Sequence, residues 1–194
     1  MMTEIRILTV KQPYAAAEIF GFKKVDNRTR NIARTYRGPV AIHAALAIDW
    51  AVFADVISRR GPWGKLTPNQ QSTCICGCRD TGRIIGLVDL VDVHWGEPEG
   101  VVADWPLCSP WAWGGESCWH LVFKNPRPLP EPVPWKGGQG LQRLDTAVTI
   151  AECQNCGREY TVHDKTAAVW CPHCADYVSL NCWRQPLLGL EALL

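Results

Sequence analysis

No stretch of about 18 apolar residues occurs anywhere in this chain, so no segment of it is expected to cross a membrane as a helix. The opening Met-Met-Thr-Glu-Ile-Arg brings an acid early and no apolar block, which does not read as a secretory signal. Neither sign of charge is in excess. Twenty Lys and Arg against 19 Asp and Glu leave a formal charge of +1, so bulk attraction to a polyanion is excluded and any nucleic-acid contact has to come from a local patch. Charged residues are scarce at 20% while apolar ones reach 47%, a balance that excludes a disordered chain and permits a real core. No unit repeats with a period of about 20 to 50 residues, which sets solenoids and propellers aside.

Cysteine and tryptophan, by contrast, are plentiful, at ten each in 194 residues. That length suits one domain of ordinary size plus a small module. Ten cysteines without a secretory signal point to a reducing cytoplasm, where thiols stay reduced or bind metal. The tryptophans have two uses: rings such as Trp111, Trp113 and Trp135 in loops can stack on bases, or they can plug a small core, and the second role is the commoner one.

Patterning predicts an α+β domain. Ile5 to Val10 alternates like a strand, Pro13 to Phe20 reads as a helix closed by Gly21, and Gly38 to Ala44 is a buried strand. Ile48 to Ile57 has helical period. Residues 59–82, rich in Gly, Pro, Asn, Gln, Ser and Thr, read as a loop insertion. Gly82 to Trp95 is the strongest strand, long enough to bend at Gly86. Trp119 to Phe123 is a short strand, and Pro126 to Pro134 is a connection that cannot be a central strand. Leu141 to Leu144 closes the series. Many strands with a few short helices suggest a small, partly closed β-barrel with flanking helices.

Near Ala151 the composition turns to paired cysteines, Cys153-x2-Cys156 and Cys171-x2-Cys174. Zinc takes four thiolates in a tetrahedron, and each CxxC turn supplies two from one knuckle, so these four cysteines are the expected ligands of a structural Zn2+. Gly157 lets the first turn close, and Tyr160–Val162 with Ala167–Trp170 read as the strands of a zinc ribbon over 149–183. Some forty residues bury too little core to fold alone, so metal must contribute folding free energy, on the order of 10 kcal/mol. Redox pairs or disulfides are the alternative. His163 and His173 are bystanders once four cysteines fill the shell, and Cys182 reads as a buried thiol. Cys74, Cys76 and Cys78 fit either a second metal site with Cys108 or Cys118, or thiols in apolar pockets. C-x-C is a poor knuckle, which favours the pockets. The apolar tail 184–194 is expected to pack on the body or on a protein partner.

Charge is segregated although its sum is small. Lys23, Lys24, Arg28, Arg30, Arg34 and Arg37 stand against one acid, Asp26, whereas residues 84–123 hold six acids and no Lys or Arg. A sharp turn after Gly21 would let Lys23, Asp26 and Arg28 converge on one pocket. A cation there would hold a phosphate, and Asp26 would accept from an exocyclic amine as a carboxylate does with cytosine. The same trio would also serve as a structural ion pair pinning the loop. Gln12 offers an amide to a base edge or caps a helix. His43, among alanines on a strand, suits a core histidine or a second-tier ligand contact. Lys136 and Gln139 flank a glycine-rich turn where backbone can approach a ligand.

The order Leu8-Thr-Val-Lys-Gln-Pro-Tyr14, Gly21-Phe-Lys-Lys-Val-Asp-Asn-Arg28, Arg37-Gly-Pro-Val-Ala-Ile-His-Ala44, Gly82-Arg-Ile-Ile-Gly-Leu-Val-Asp-Leu90 and Pro132-Val-Pro-Trp-Lys-Gly-Gly-Gln-Gly-Leu141 resembles the ASCH domain, a branch of the PUA-like superfamily. The resemblance spans roughly residues 5–145, within a domain over 1–148. It implies a PUA-like barrel with a ligand cleft beside Gly21–Arg28 that binds RNA, DNA or a modified nucleotide. It also implies a possible hydrolase: some members are amidohydrolases of N4-acylated cytidine, and a ribonuclease activity has been proposed for others. Lys23 and Arg28 match the motif's lysine and arginine. Asp26 stands where most members carry Glu and where the deacylating ones carry Thr, so it cannot be the same nucleophile but can act as a general base with Lys23. A third role is that of an adaptor, with the zinc ribbon or the tail docking a protein.

Overall fold

The computed structural model describes residues 4–96, 108–112, 118–144, 147–153, 155–157, 159–162, 168–171 and 176–186. Two compact units divide the chain at residues 144 and 145.

The first unit is built on one mixed six-stranded sheet. Its strands are β1 (Arg6–Gln12), β2 (Val25–Arg28), β3 (Gly38–Ile48), β4 (Arg83–Gly96), β5 (Cys118–Pro134) and β6 (Leu141–Arg143). Their order across the sheet is β2-β5-β4-β3-β1-β6. β1 runs parallel to β3, with Leu8 opposite Ile42 and Thr9 opposite His43, and every other pairing is antiparallel. The fold is therefore α+β, as patterning indicated, but the sheet ends at β2 and β6 and does not close into the expected barrel.

β3 buries Val40, Ala41, Ile42, His43 and Ala44 in succession, the mark of a strand covered on both faces. Leu8, Val10, Ile42, Val88, Leu90, Leu121 and Phe123 form the sheet's core. Helix α1 (Tyr14–Ile19) packs on it through Ala15 and Ile19, while Ala16 and Ala17 are buried on its other sides. Six residues cannot hold a helix alone, so this burial does, with Ile19 alone contributing about 1.5–3 kcal/mol.

Between β3 and β4 lie α2 (Trp50–Ser58), a short 3-10 helix over 61–65, and α3 (Pro68–Gly77). The loop expected over 59–82 is thus largely helical. Thr67 caps α3 in a reciprocal box: its hydroxyl accepts from the Gln70 amide, and Gln70 Oε1 accepts from the Thr67 amide. Thr67-Pro-Asn-Gln70 is that box in the sequence, with proline at the first helical position. Cys74 and Cys78, one turn apart on one side of α3, are buried. Cys74 joins a second cluster with Val56, Leu66, Trp63 and Trp111, the two indoles meeting edge to face at 4.6 Å.

β5 corrects a second expectation. Pro126–Pro134 is not a bare connection but the outer half of a 17-residue strand, paired with β4 from Leu87↔Arg127 to Arg83↔Pro134 with register shifts. β2 pairs only with Trp119–Val122, so the prolines lie at the sheet's margin, where missing N–H groups are tolerated.

The second unit holds β7 (Ala147–Cys153), β8 (Glu159–Val162), β9 (Ala168–Cys171) and β10 (Asp176–Pro186), in the order β8-β7-β10-β9. β7 begins before the boundary expected at 149, and β10 runs past 183 into the segment assigned to the tail. The rest of that tail, together with Cys174, His163 and His173, lies outside the described residues.

Candidate functional site

The turn after α1 creates the site. Gly21 has a φ of +78°, and the amides of Phe22 and Lys23 both donate to the Ala17 carbonyl, which folds the chain back over the helix end. Lys23 therefore returns to Glu18. Its ammonium lies 2.7 Å from Glu18 Oε1, 2.6 Å from the Val25 carbonyl and 3.5 Å from Asp26 Oδ1. Asp26 Oδ2 accepts in turn from Arg28 Nε at 2.5 Å. Lys23, Asp26 and Glu18 are buried, whereas the Arg28 side chain keeps 28% of its surface.

These groups border a cavity of about 510 Å3 lined by Lys23, Asp26, Asn27, Arg28, Tyr14 and the Gly138–Gly140 turn, with Lys11 and Asp49 at its sides. Tyr14 places its ring 5.3 Å from the Lys23 ammonium. Burial, reinforced by Asp49, Asp55 and Asp26, pushes its phenol up to about 12, so it remains a neutral hydroxyl.

Of the residues singled out in the sequence, Lys23, Asp26, Arg28 and Gln139 meet at this cavity. Gln12 does not line it. Its Oε1 accepts from the Ala16 amide at 3.0 Å, and its Nε2 donates to the carbonyls of Gly77 and Asp80, so it caps α1 and ties α3 to it. Lys136 is exposed and outside the lining. His43 is buried and supports the wall from behind. Its Nε2 lies 3.0 Å from the Trp135 carbonyl and its Nδ1 3.2 Å from Thr9 Oγ1, which accepts from the Gly138 amide at 3.1 Å. An Nε2–H donor leaves Nδ1 to accept the Thr9 hydroxyl, and the chain of bonds fixes the glycine turn. Burial lowers the His43 pKa, in keeping with the neutral ring this chain requires.

Glu18 is the residue that sequence reasoning missed. Burial pushes its carboxyl up, Lys23 pulls it back, and Asp26 adds to the rise. Its Oε2 has no hydrogen-bond partner among the described residues. An acid in a short alanine helix looks like a solvated face. Only the fold-back at Gly21 reveals its partner.

Glu18 and Lys23 also border a second cavity, of about 480 Å3, together with Val122, Lys124, Ser109 and Cys108. Beside it, His94, Cys108 and His120 bring their donor atoms within 4.8 Å of one another, a group that can hold a metal ion. None of the three was a predicted ligand. Cys108 entered the sequence reading only as a possible partner of the Cys74–Cys78 run, but burial raises the thiols of Cys74 and Cys78 to about 12 and about 11, as befits small apolar side chains. Two histidines 26 residues apart carry no local signal. They meet because β4 and β5 pair them directly.

At the predicted zinc site, Cys153 is buried at the end of β7 and Cys156 is exposed in the following turn. That turn is closed by a bond from the Gly157 amide to the Cys153 carbonyl, with Gly157 at a φ of +68°. It is a tight turn of the kind a CxxC pair needs to present two thiolates together. Cys171 ends β9, opposite Asp176 of β10.

Among the tryptophans named as possible stackers, Trp111 is in the core and Trp135 is half-buried with its carbonyl facing His43. Trp113 lies outside the described residues. No helix among the described residues is long and apolar enough to cross a membrane. No family model matches the chain, and no curated protein matches it significantly.

Proposed function

We propose that the first unit is a nucleotide-binding module of the ASCH type and that its ligand occupies the cavity beside Gly21–Arg28. The observation that carries this reading is the convergence of a carboxylate and two cations on one wall of a cavity of about 510 Å3, facing a glycine-rich turn. The roles within the trio differ. The Lys23 ammonium donates to Glu18 Oε1 and the Val25 carbonyl and pairs with Asp26 Oδ1 at 3.5 Å, so Lys23 helps to hold Asp26 in place. Arg28, tied at Nε and partly exposed, is the cation that meets a phosphate. Asp26 accepts from an exocyclic amine, and Tyr14 offers a face or a hydroxyl to the base.

Binding is favoured over turnover, because a buried lysine hydrogen-bonded to Glu18 and the Val25 carbonyl and paired with Asp26 is poorly placed to act as a free base. A four-cysteine Zn2+ site at Cys153, Cys156, Cys171 and Cys174 would fold the second unit. Its support is the Cys153–Gly157 turn.

The test is a thermal-shift and calorimetric panel of free and modified nucleosides, their monophosphates, and short RNA and DNA. At one hundred times Kd a ligand stabilises by about 2.7 kcal/mol, which raises the Tm of a chain this size by roughly 5–10 °C. No shift with any member at millimolar concentration would overturn the reading. Release of acetate from N4-acetylcytidine by the wild-type protein would replace it with the amidohydrolase.

A further inference from the structure

We propose that His94, Cys108 and His120 form a binding site for a divalent transition metal of the zinc class, ligated through His94 Nε2, His120 Nδ1 and the Cys108 thiolate, with Asp92 orienting His94.

The donors are placed by three independent features. His94 and His120 are direct cross-strand partners on β4 and β5, so their rings rise from the same sheet face. His120 is buried, and the position two residues beyond His94 is Gly96, where any Cβ would collide with the His120 ring. Cys108 arrives from a separate segment held by two anchors: Asn27 Nδ2 donates to the Trp111 carbonyl at 2.8 Å, and the Trp111 indole packs on Trp63.

The distances suit a coordination polyhedron. His94 Nε2 lies 3.3 Å from His120 Nδ1, and Cys108 Sγ lies 3.3 Å from the same nitrogen. Bonds of about 2.0 Å to nitrogen and about 2.3 Å to sulfur in a tetrahedron give edges of roughly 3.3 Å between nitrogens and roughly 3.5 Å between nitrogen and sulfur. A hydrogen-bonded relay is the competing reading. A relay uses the two nitrogens of its central imidazole in series, one for the nucleophile and one for the orienting group. Here the thiol and the second histidine each lie 3.3 Å from the same nitrogen, His120 Nδ1, and the three donor atoms fall within 4.8 Å of one another, as donors around one ion do.

The surroundings complete the pattern. Asp92 Oδ2 lies 2.7 Å from His94 Nδ1, so Nδ1 carries the proton and Nε2 presents its lone pair. A carboxylate behind a ligating imidazole is the usual outer partner of such a metal. Two imidazoles and a thiolate favour zinc or cobalt over magnesium or calcium, which take oxygen. Binding replaces the thiol proton, released to solvent, with a metal–sulfur bond, and no electron changes hands. Three protein donors leave a fourth position for water or a ligand group. Cys108 also lines the second cavity, so a molecule bound there would sit beside the metal. None of this depends on what the first cavity binds.

The experiment is metal analysis of the full chain, purified from zinc-supplemented culture, for wild type, His94→Ala, Cys108→Ser and Asp92→Asn. His94→Ala and Cys108→Ser should each carry one zinc fewer per chain than wild type, whatever the four-cysteine site contributes to all of them. Asp92→Asn should keep the site but weaken zinc affinity about 10–100-fold in chelator competition. In cobalt-loaded protein, Cys108→Ser should lose part of the thiolate-to-cobalt absorption. Cys108 is exposed, so its replacement leaves the core intact and a folding defect cannot mimic the loss. Unchanged zinc content in Cys108→Ser and His94→Ala, or unchanged cobalt absorption in Cys108→Ser, would overturn the proposal.

Discussion

The Lys23 ammonium lies 2.7 Å from Glu18 Oε1, and both side chains are buried, so the turn at Gly21 is closed by an ion pair shielded from water. Removing Lys23 leaves Glu18 buried with no cation opposite it, so ionising the carboxyl becomes costly. Lys23→Ala should cost about 3–5 kcal/mol in urea unfolding. The deficit should depend on pH. Burial already raises the Glu18 carboxyl, and without Lys23 it rises further. A raised folded-state pKa contributes stability that is present below the unfolded value and lost as pH rises through the folded one. The variant should therefore be far weaker at pH 8 than at pH 5, and adding Glu18→Gln should flatten the difference. Equal deficits at both values would show that Glu18 is not the group responsible.

Arg28 separates phosphate recognition from base recognition. Arg28→Ala should abolish the affinity advantage of a nucleoside monophosphate over its nucleoside, while Asp26→Asn should weaken both. Arg28→Lys should not restore the advantage, because an ammonium cannot keep the Nε bond to Asp26 while reaching a phosphate. Calorimetry on the monophosphate and nucleoside pair decides it.

Thr9→Val tests the support of the glycine turn. The substitution is nearly isosteric but leaves His43 Nδ1 and the Gly138 amide without their shared partner. A loss of about 1–3 kcal/mol is expected, together with weaker ligand binding, although Thr9 donates no charge to the cavity. Retained affinity would show that the turn is held by something else.

Asp89 governs part of the acid limit. Hydrogen bonds from Arg127, joined by one from Asn125, hold its carboxyl below the usual range. A depressed folded-state value contributes stability that is present above the unfolded pKa and lost as pH falls through the folded one. Asp89→Asn should be less stable than wild type at pH 6, and the gap should narrow towards pH 3. Parallel curves would rule out this pair as a source of acid sensitivity.

What could be read in advance was local. Ile5–Val10, Pro13–Phe20 and Gly82–Trp95 carry their periodicity in a few consecutive residues, and each forms the expected element within a residue or two. The convergence of Lys23, Asp26 and Arg28 followed from one glycine. The helix at Pro68–Gly77 was legible too, through Thr67 and Gln70, but a polar composition hid it. The openness of the sheet, the partner of Glu18 and the meeting of His94 with His120 all depend on strand register, which no short window encodes. Gln12 carried two readings, and the structure shows the helix cap; an amide that caps a helix and one that reads a base are the same residue type, so sequence alone left both open.

The proline-studded half of β5 has one more implication. From Pro126 to Pro134 every second residue lacks an amide hydrogen, and β4 occupies one flank of this stretch. A stray β-segment from another molecule, arriving to lengthen the sheet, would find too few donors to zip onto. A chain this rich in apolar residues thus carries, at that border, its own deterrent against clumping.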